Sequence, residues 1–379
     1  MDKSNWVVKE FFKRIMIRGV RVGIRAFYIL PIRENRIVFF SFTGNQYSCN
    51  PKAISDYVRK NAKGKFEIVW AFNDPSKFSF LKEEGIRVVK YKSLERLLLQ
   101  TTAKFTINNS GAYSWIPIRK NQVHVNTWHA GGAYKRLQSD KYASYNRHLT
   151  AKETSHMISS CKAFTKYNIR EQFGYEGTVL EIGMPRNDVF FDREELERRA
   201  AAIRAQYDIP QDAFIVLYAP TWRYDGVIPQ PDFDRLTQAV SERFGRKAVI
   251  AVRNHNYSRK DYKDVVDVTA YPDMQDLLCA ADMLITDYSS SIWDYSFTYR
   301  PCFLYVEDLE KYTREQGFFV DIHEWGFPLC RNNDELTDAI LSYDEDRHRE
   351  RMEKHHDDFG SFESGHAAEK FYKEILCGK

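Results

Sequence analysis

Short apolar runs, each followed by a polar turn and then a stretch of helical periodicity, recur along most of this 379-residue chain. In the first half, residues 37–40, 66–72, 86–91, 104–109 and 124–128 read as strands. They are rich in β-branched and aromatic residues, and Gly, Asn, Pro or Ser bound them. Between them a helix opens near Pro51, where a proline ring at the first turn costs no hydrogen bond. Another helical stretch closes at Gly85, and a leucine-rich helix spans 94–101. The charged segment 192–207 reads as a solvated helix, and 208–211, with Pro210, as a join. The alternation then resumes, with strands at 214–219, 248–252, 265–268, 283–286 and 302–306 and helices at 232–243, 273–280 and 291–299. Apolar strands alternating with helices predict parallel sheets covered on both faces. A chain of this length exceeds one hydrophobic core. The expected fold class is therefore α/β: two facing Rossmann-like, doubly wound domains, 31–208 and 209–379, with a cleft between them and a separate segment, 1–30, in front.

That first segment is where charge collects. Residues 2–25 hold seven Lys/Arg against two acids, whereas the whole chain nets only +4. On a helical wheel Arg14, Arg18, Arg21 and Arg25 fall within about 60° of one another. Trp6, Val8, Phe11, Phe12 and Ile15 lie alongside. Basic and bulky apolar residues mixed in this way suit an anionic membrane surface. No apolar run approaches the length of a membrane span, and the N-terminus lacks the apolar core and cleavage site of a signal peptide. Six cysteines without a CxxC pair fit neither a disulfide framework nor a zinc site, and suit a reducing compartment. The even charge balance gives no sign of a nucleic-acid partner. The expectation is a protein attached peripherally to the cytoplasmic face of the cell membrane.

The chemistry gathers at strand ends. In an open parallel sheet, ligands bind beyond the carboxyl ends of the strands. YAPTWR (218–223), VRNH (252–255) and ITDYSSSIWDY (285–295) there deliver Thr221, Arg223, Arg253, His255, Asp287, Ser289 and Ser290. Two arginines, a histidine and a string of hydroxyls suit an anion, most simply a phosphate. No GxGxxG or GxxxxGK[ST] loop occurs at any strand end, so the site is neither of those two phosphate binders. In the first half NTWHAGGAYKR (126–136) brings His129 to a strand end. Gly131 and Gly132 follow and permit close backbone approach, and Lys135 and Arg136 close the turn. An imidazole in that position can take the proton of an attacking hydroxyl. Asp287 and Asp294 lack further ligands at metal spacing, so no metal site is expected.

Taken together and in order, SFTGNQYSCNPKAI (41–54), NTWHAGGAYKR, GMPRND (183–188), YAPTWR, VRNH, ITDYSSSIWDY and REQGFFVD (314–321) give the chain a resemblance. It resembles the CDP-glycerol glycerophosphotransferase family, enzymes that prime and polymerise teichoic acids and related capsular polymers. The family's usual segment WHGTPLKxL stands here as WHAGGAYKRL, so residues 130–134 differ where the acceptor would lie.

The resemblance implies a GT-B architecture, with an N-terminal acceptor domain and a C-terminal CDP-polyol domain. It implies transfer of glycerol phosphate from CDP-glycerol, or ribitol phosphate from CDP-ribitol, to a hydroxyl of a polyprenyl-diphosphate-linked glycan, with CMP released and no cofactor. Mapped onto this chain, His129 becomes the general base, with His255 the second catalytic histidine. Arg253, His255, Ser289 and Ser290 become the pyrophosphate clamp. Thr221 and Arg223 border the same anion, Asp287 orients the serine turn, and Gly131, Gly132, Lys135 and Arg136 lie on the acceptor side. Two other readings stand beside this one: a transferase of the same architecture that uses a nucleotide-sugar, and an idle membrane scaffold. YAPTWR and TDYSS favour the phosphotransferase over the first. His129, Lys135, Arg253 and His255 together count against the second.

Overall fold

The apolar run that marks the first strand becomes the inner part of β1 (Arg33–Phe40), whose last five residues are all buried. Burial without alternation is what a strand covered on both faces requires. The structure is a computed structural model. It describes residues 3–111, 115–136, 151–223, 226–254 and 265–378, with 3–11 and 13 described by backbone alone. Around β1 lie β2 (Glu67–Phe72), β3 (Arg87–Lys90), β4 (Ala103–Asn108), β5 (Val123–Asn126), β6 (His156–Ile158) and β7 (Thr178–Leu180). They form one sheet in the order β3-β2-β1-β4-β5-β6-β7, with every pairing parallel.

The second half repeats the plan with β8 (Phe214–Tyr218), β9 (Ala248–Val252), β10 (Val266–Asp267), β11 (Met283–Thr286), β12 (Cys302–Tyr305) and β13 (Leu329–Cys330). Their order is β10-β9-β8-β11-β12-β13, again all parallel. In both sheets the first strand sits inside and the chain winds outward from it in two directions. That is the doubly wound order, with a switch point beside the first strand. The expected class, two Rossmann-like sheets in a GT-B-like arrangement, is what the chain adopts.

Several elements differ from the sequence reading in extent. β6, β7 and β13 have two or three residues each, too few to carry a period of two. The helix expected to run to residue 299 spans only Ser291–Ser296. The helical stretch before Gly85 is a 3-10 turn, Pro75–Lys82, started by Asp74, whose carboxylate accepts from the Ser76 N–H.

The C-terminal segment crosses back to the first half. Lys162 N donates to Gly360 O at 2.9 Å and Phe362 N to Ser160 O at 2.9 Å. The helix Ala367–Phe371 is started by a residue of the other half: Ala367 and Ala368 donate their N–H groups to Asp188 at 2.9 and 2.8 Å.

Helix α1 (Lys3–Ile24) corrects one part of the sequence picture. Arg21 is buried and ion-paired with Glu153, and Arg14 is half-buried, so half of the arginine stripe faces the protein. Ile17 and Ile24 share that inward face. Arg18 and Arg25 are exposed at its edge. The opposite face carries Phe12, Ile15, Met16 and Val22, with Phe12 64% and Val22 63% exposed. The outward face of this helix is thus apolar rather than basic. Among the described residues no helix is long and apolar enough to cross a membrane.

Candidate active site

The carboxyl ends of the two sheets face each other across a cavity of about 320 Å³. One side is Phe42, Gln46, Ser48, Cys49, His129 and Arg186 from the first half. The other is led by Ala219, Arg253, Asn254, Gln275, Ser289 and Ser290 from the second. A larger groove, about 1250 Å³, lies behind Cys49, Arg186, Asp273 and Gln275. Its charged side chains are largely tied to one another, as in Lys52–Asp273 at 2.6 Å and Arg199–Asp276 at 3.0 Å. The smaller cavity is where both switch points open, and it holds the candidate chemistry.

His129 is set by its surroundings. Its Nδ1 lies 2.8 Å from the carbonyl oxygen of Asn109, the residue just past β4. A carbonyl only accepts, so Nδ1 carries the proton and Nε2 keeps its lone pair. The ring stacks on Trp128, centroids 4.5 Å apart, and meets Phe42 at 5.4 Å. The imidazole reaches water in the cleft, yet the protein packed around it lowers its pKa from the ordinary 6.5, and Arg186 and Lys135 lower it further. The ring is held neutral. Its backbone neighbourhood is strained: Phe42, Thr43, Cys49 and Trp128 have φ of 43°, 56°, 65° and 51°, in the left-handed region. Such strain persists where the surrounding structure over-determines it, as at ligand sites.

Opposite, Arg253 follows β9, and its Nη1 is buried without a hydrogen-bond partner among the described residues. Burial lowers its pKa, with Asp273 opposing. A guanidinium N–H left unsatisfied beside a cavity is costly unless a ligand supplies the acceptor. Ser290 stands at the N-cap of Ser291–Ser296 but makes no capping bond with its side chain. Ser289 Oγ receives Ser291 Oγ at 3.0 Å. The helix behind them has six residues, so hydroxyls and Arg253, rather than a helix dipole, make this wall suited to phosphate.

A family model described as CDP-glycerol:poly(glycerophosphate) glycerophosphotransferase matches residues 23–377. The chain belongs to this family. A teichoic acid poly(glycerol phosphate) polymerase of Bacillus spizizenii is 28% identical over 398 residues, covering 99% of this chain and 100% of the relative. A teichoic acid glycerol-phosphate transferase of Staphylococcus aureus is 28% identical over 397 residues, covering 98% and 100%. Among solved structures, the wall teichoic acid polymerase TagF superposes with a TM-score of 0.80 at 25% identity, covering 100% of this chain and 98% of that one.

In this glycerophosphotransferase the remaining candidate residues take other places. Arg223 does not line the cavity. Its guanidinium is bound by Asp308 at 2.7 Å and Asp287 at 2.8 Å and lies over the rings of Tyr288 and Tyr312. Asp287 therefore joins strand ends rather than holding the serines: it accepts from Thr221 N at 2.8 Å and Tyr288 N at 2.6 Å. Thr221 Oγ1 is buried without a partner among the described residues. His255 lies outside the described residues.

Gly131 and Gly132 are both buried. A Cβ on Gly131 would stand 2.3 Å from Trp293, and Gly132 has φ of 65° with Tyr134 against it. The pair makes packing possible rather than leaving room for a substrate. Lys135 and Arg136 bridge to the second half: Lys135 pairs with Phe318 in an antiparallel bridge, and Arg136 N donates to Gly317 O at 3.1 Å. Lys135 has no ion-pair partner among the described residues. Burial lowers its pKa, with Asp287 opposing.

Sequence reasoning missed three groups: Asn109, which orients the histidine; Arg186, paired with Asp294; and Glu363, bonded to Trp293. Arg186 and Asp294 lay inside motifs that were legible. Glu363 carried no signal.

Proposed function

We propose that this glycerophosphotransferase acts in teichoic acid or related cell-wall polymer synthesis, moving glycerol phosphate from CDP-glycerol to a hydroxyl of a lipid-linked glycan. Residues 31–208 bind the acceptor and 209–379 the CDP-polyol. The single observation that carries this reading is the cavity between the two switch points. A neutral imidazole stands on one side of it, and on the other an arginine whose Nη1 has no hydrogen-bond partner among the described residues stands with the hydroxyls of Ser289 and Ser290. Nε2 of His129 takes the proton as the acceptor oxygen bonds to the phosphorus that bears glycerol. The pyrophosphate bond breaks, and CMP leaves with the electron pair. Arg253, Ser289 and Ser290 hold the phosphate oxygens as charge redistributes.

Calorimetric titration with CDP-glycerol, CDP-ribitol and a UDP-sugar tests the donor. Tight binding of CDP-glycerol alone is expected, and preference for the UDP-sugar would overturn the reading. Replacing Ser289 and Ser290 together by alanine is expected to raise the CDP-glycerol Kd by ~10-fold or more, since each hydroxyl faces a charged group. An unchanged Kd would assign both serines to the turn alone.

We further infer that α1 meets an anionic membrane through its outward apolar face, with Arg18 and Arg25 at the headgroups. Phe12, Ile15, Met16 and Val22 are large, exposed and on one side, which supports insertion into the headgroup boundary. Serine at Phe12, Ile15 and Val22 should abolish cosedimentation with anionic vesicles, because roughly 1.5–3 kcal/mol is lost for each side chain that no longer buries. Turnover of a short soluble acceptor should persist. Reversing all four arginines is the poorer test, because it also breaks the Arg21–Glu153 pair. Undiminished vesicle binding by the serine variant would remove α1 from the membrane contact.

A further inference from the structure

The turn GMPRND and the C-terminal residue Glu363 have no place in the transfer step, yet they meet at one point between the halves. Glu363 Oε1 accepts from Asn187 Nδ2 at 3.0 Å and from the indole Nε1 of Trp293 at 3.0 Å. Its Oε2 accepts from Met184 N at 2.9 Å. Met184 and Asn187 belong to the first half. Trp293 belongs to the helix Ser291–Ser296, immediately after Ser289 and Ser290. One carboxylate thus ties both halves together, and all three of its partners are N–H donors.

The indole it holds is fully buried and lies against the histidine loop. A methyl group at Gly131 would come within 2.3 Å of Trp293 Cδ1, so the backbone two residues past His129 rests directly on that ring. The contact runs from Glu363 to Trp293, to Gly131, to His129. On the other side of Trp293 the chain leads back within four residues to Ser289.

We propose that Glu363 is a positioning residue that sets the distance between the general base and the donor phosphate, by fixing the Trp293 indole against Gly131. Its carboxylate accepts the indole N–H, while His355, His356 and Phe359 pack on the ring itself. The return of that segment to the first half, through Gly360, Phe362 and the Asp188-capped helix, places it there. Protein packed around the carboxyl raises its pKa, and the donated N–H of Trp293 opposes that rise. The inference rests on the division of labour proposed above, with His129 on the acceptor and Arg253, Ser289 and Ser290 on the donor.

Two variants of the full chain test it. Glu363→Gln keeps the shape but replaces one accepting oxygen by an amide NH2 that must face an N–H donor, Met184 N or the Asn187–Trp293 pair. Trp293→Phe keeps a ring on Gly131 but removes the indole N–H. Each is expected to lower kcat for CMP release by about tenfold or more, because reacting atoms displaced by a fraction of an ångström lose alignment. The CDP-glycerol Kd should stay within about twofold of wild type, since the donor wall stands on its own sheet; the double variant should be no worse than the poorer single one, as expected for residues acting through one contact. Glu363→Gln with wild-type kcat overturns the proposal. So do multiplicative losses in the double variant, or a kcat loss matched by an equal loss of donor affinity. His129→Ala, run beside them, separates the two readings: full activity there removes the site assignment whatever the Glu363 variants do.

Discussion

Alanine at His129 is expected to lower kcat for CMP release by about 10²–10⁴-fold, the range for losing a positioned general base. Donor affinity and fold should survive, because the ring's protein partners are the Asn109 carbonyl and two aromatic faces. The pH profile gives a second readout. Protein packed around the ring disfavours the imidazolium, and so do Arg186 and Lys135, against the opposing hydrogen bond to Asn109, so the folded pKa lies below the ordinary 6.5. The wild-type acid limb of kcat/KM should therefore have its midpoint below 6.5.

The sign for stability runs the same way. An unfolded chain binds the His129 proton at a higher pH than the folded one, so stability falls as pH drops below 6.5. The buried histidines His124 and His348, with pKa values of about 4, and His355, at about 3, add to that trend. The alanine variant should lose the catalytic limb and keep most of the acid sensitivity of the fold. Activity near wild type in His129→Ala would place the base elsewhere in the cleft.

How far the sequence could be read depends on how each residue obtains its partners. β8, β9 and β11 are continuous apolar runs whose polar ends emerge at a switch point, so strand and site were legible together. Arg253, Ser289 and Ser290 stand at those ends and line the cavity. Arg223 stands at the same kind of end, yet Asp308 lies 85 residues away in sequence and takes its guanidinium. Nothing local to YAPTWR announces that pairing. Gly131 and Gly132 show the same limit. Two glycines signal a backbone that needs space, but not whether a substrate or an indole fills it.

GMPRND is the clearest case. Met184 and Asn187 bind Glu363, Arg186 binds Asp294, and Asp188 starts the helix Ala367–Phe371. Each of these partners lies at least 100 residues downstream, so the motif's ordering function could not be read from its own letters. α1 fails differently. The wheel found the arginine stripe correctly, but Glu153 lies outside the helix, and it turned part of that stripe inward. Periodicity gives a face; it does not say what the face meets.

The largest expected effect on stability belongs to Asp294. Its carboxylate takes Arg186 in a two-pronged pair, Nε to Oδ2 and Nη2 to Oδ1, both at 2.9 Å, with Gln275 Nε2 on Oδ2 at 3.0 Å. Arg186 and Asp294 are 5% and 4% exposed. Burial works against the guanidinium charge, and Asp294 more than offsets it, so the folded pKa of Arg186 is raised. Asp294→Ala leaves that cation, among the described residues, with the Cys49 sulfur at 3.8 Å, the Gln275 amide nearby and the Glu363 carboxyl as its remaining acidic neighbour. Removing one partner of a buried pair costs about 3–5 kcal/mol, whereas replacing both by apolar groups of similar volume is close to neutral. Urea unfolding should therefore show Asp294→Ala as strongly destabilised, and Arg186→Met with Asp294→Leu as much less so, in spite of carrying two changes. The order of those two variants is the decisive observation. If the double variant is the weaker, the pair stabilises the junction of the halves by more than its desolvation costs. If Asp294→Ala stays within about 1 kcal/mol of wild type, the cleft's water already solvates Arg186, and the cation is available to the donor's phosphates rather than committed to holding the halves together.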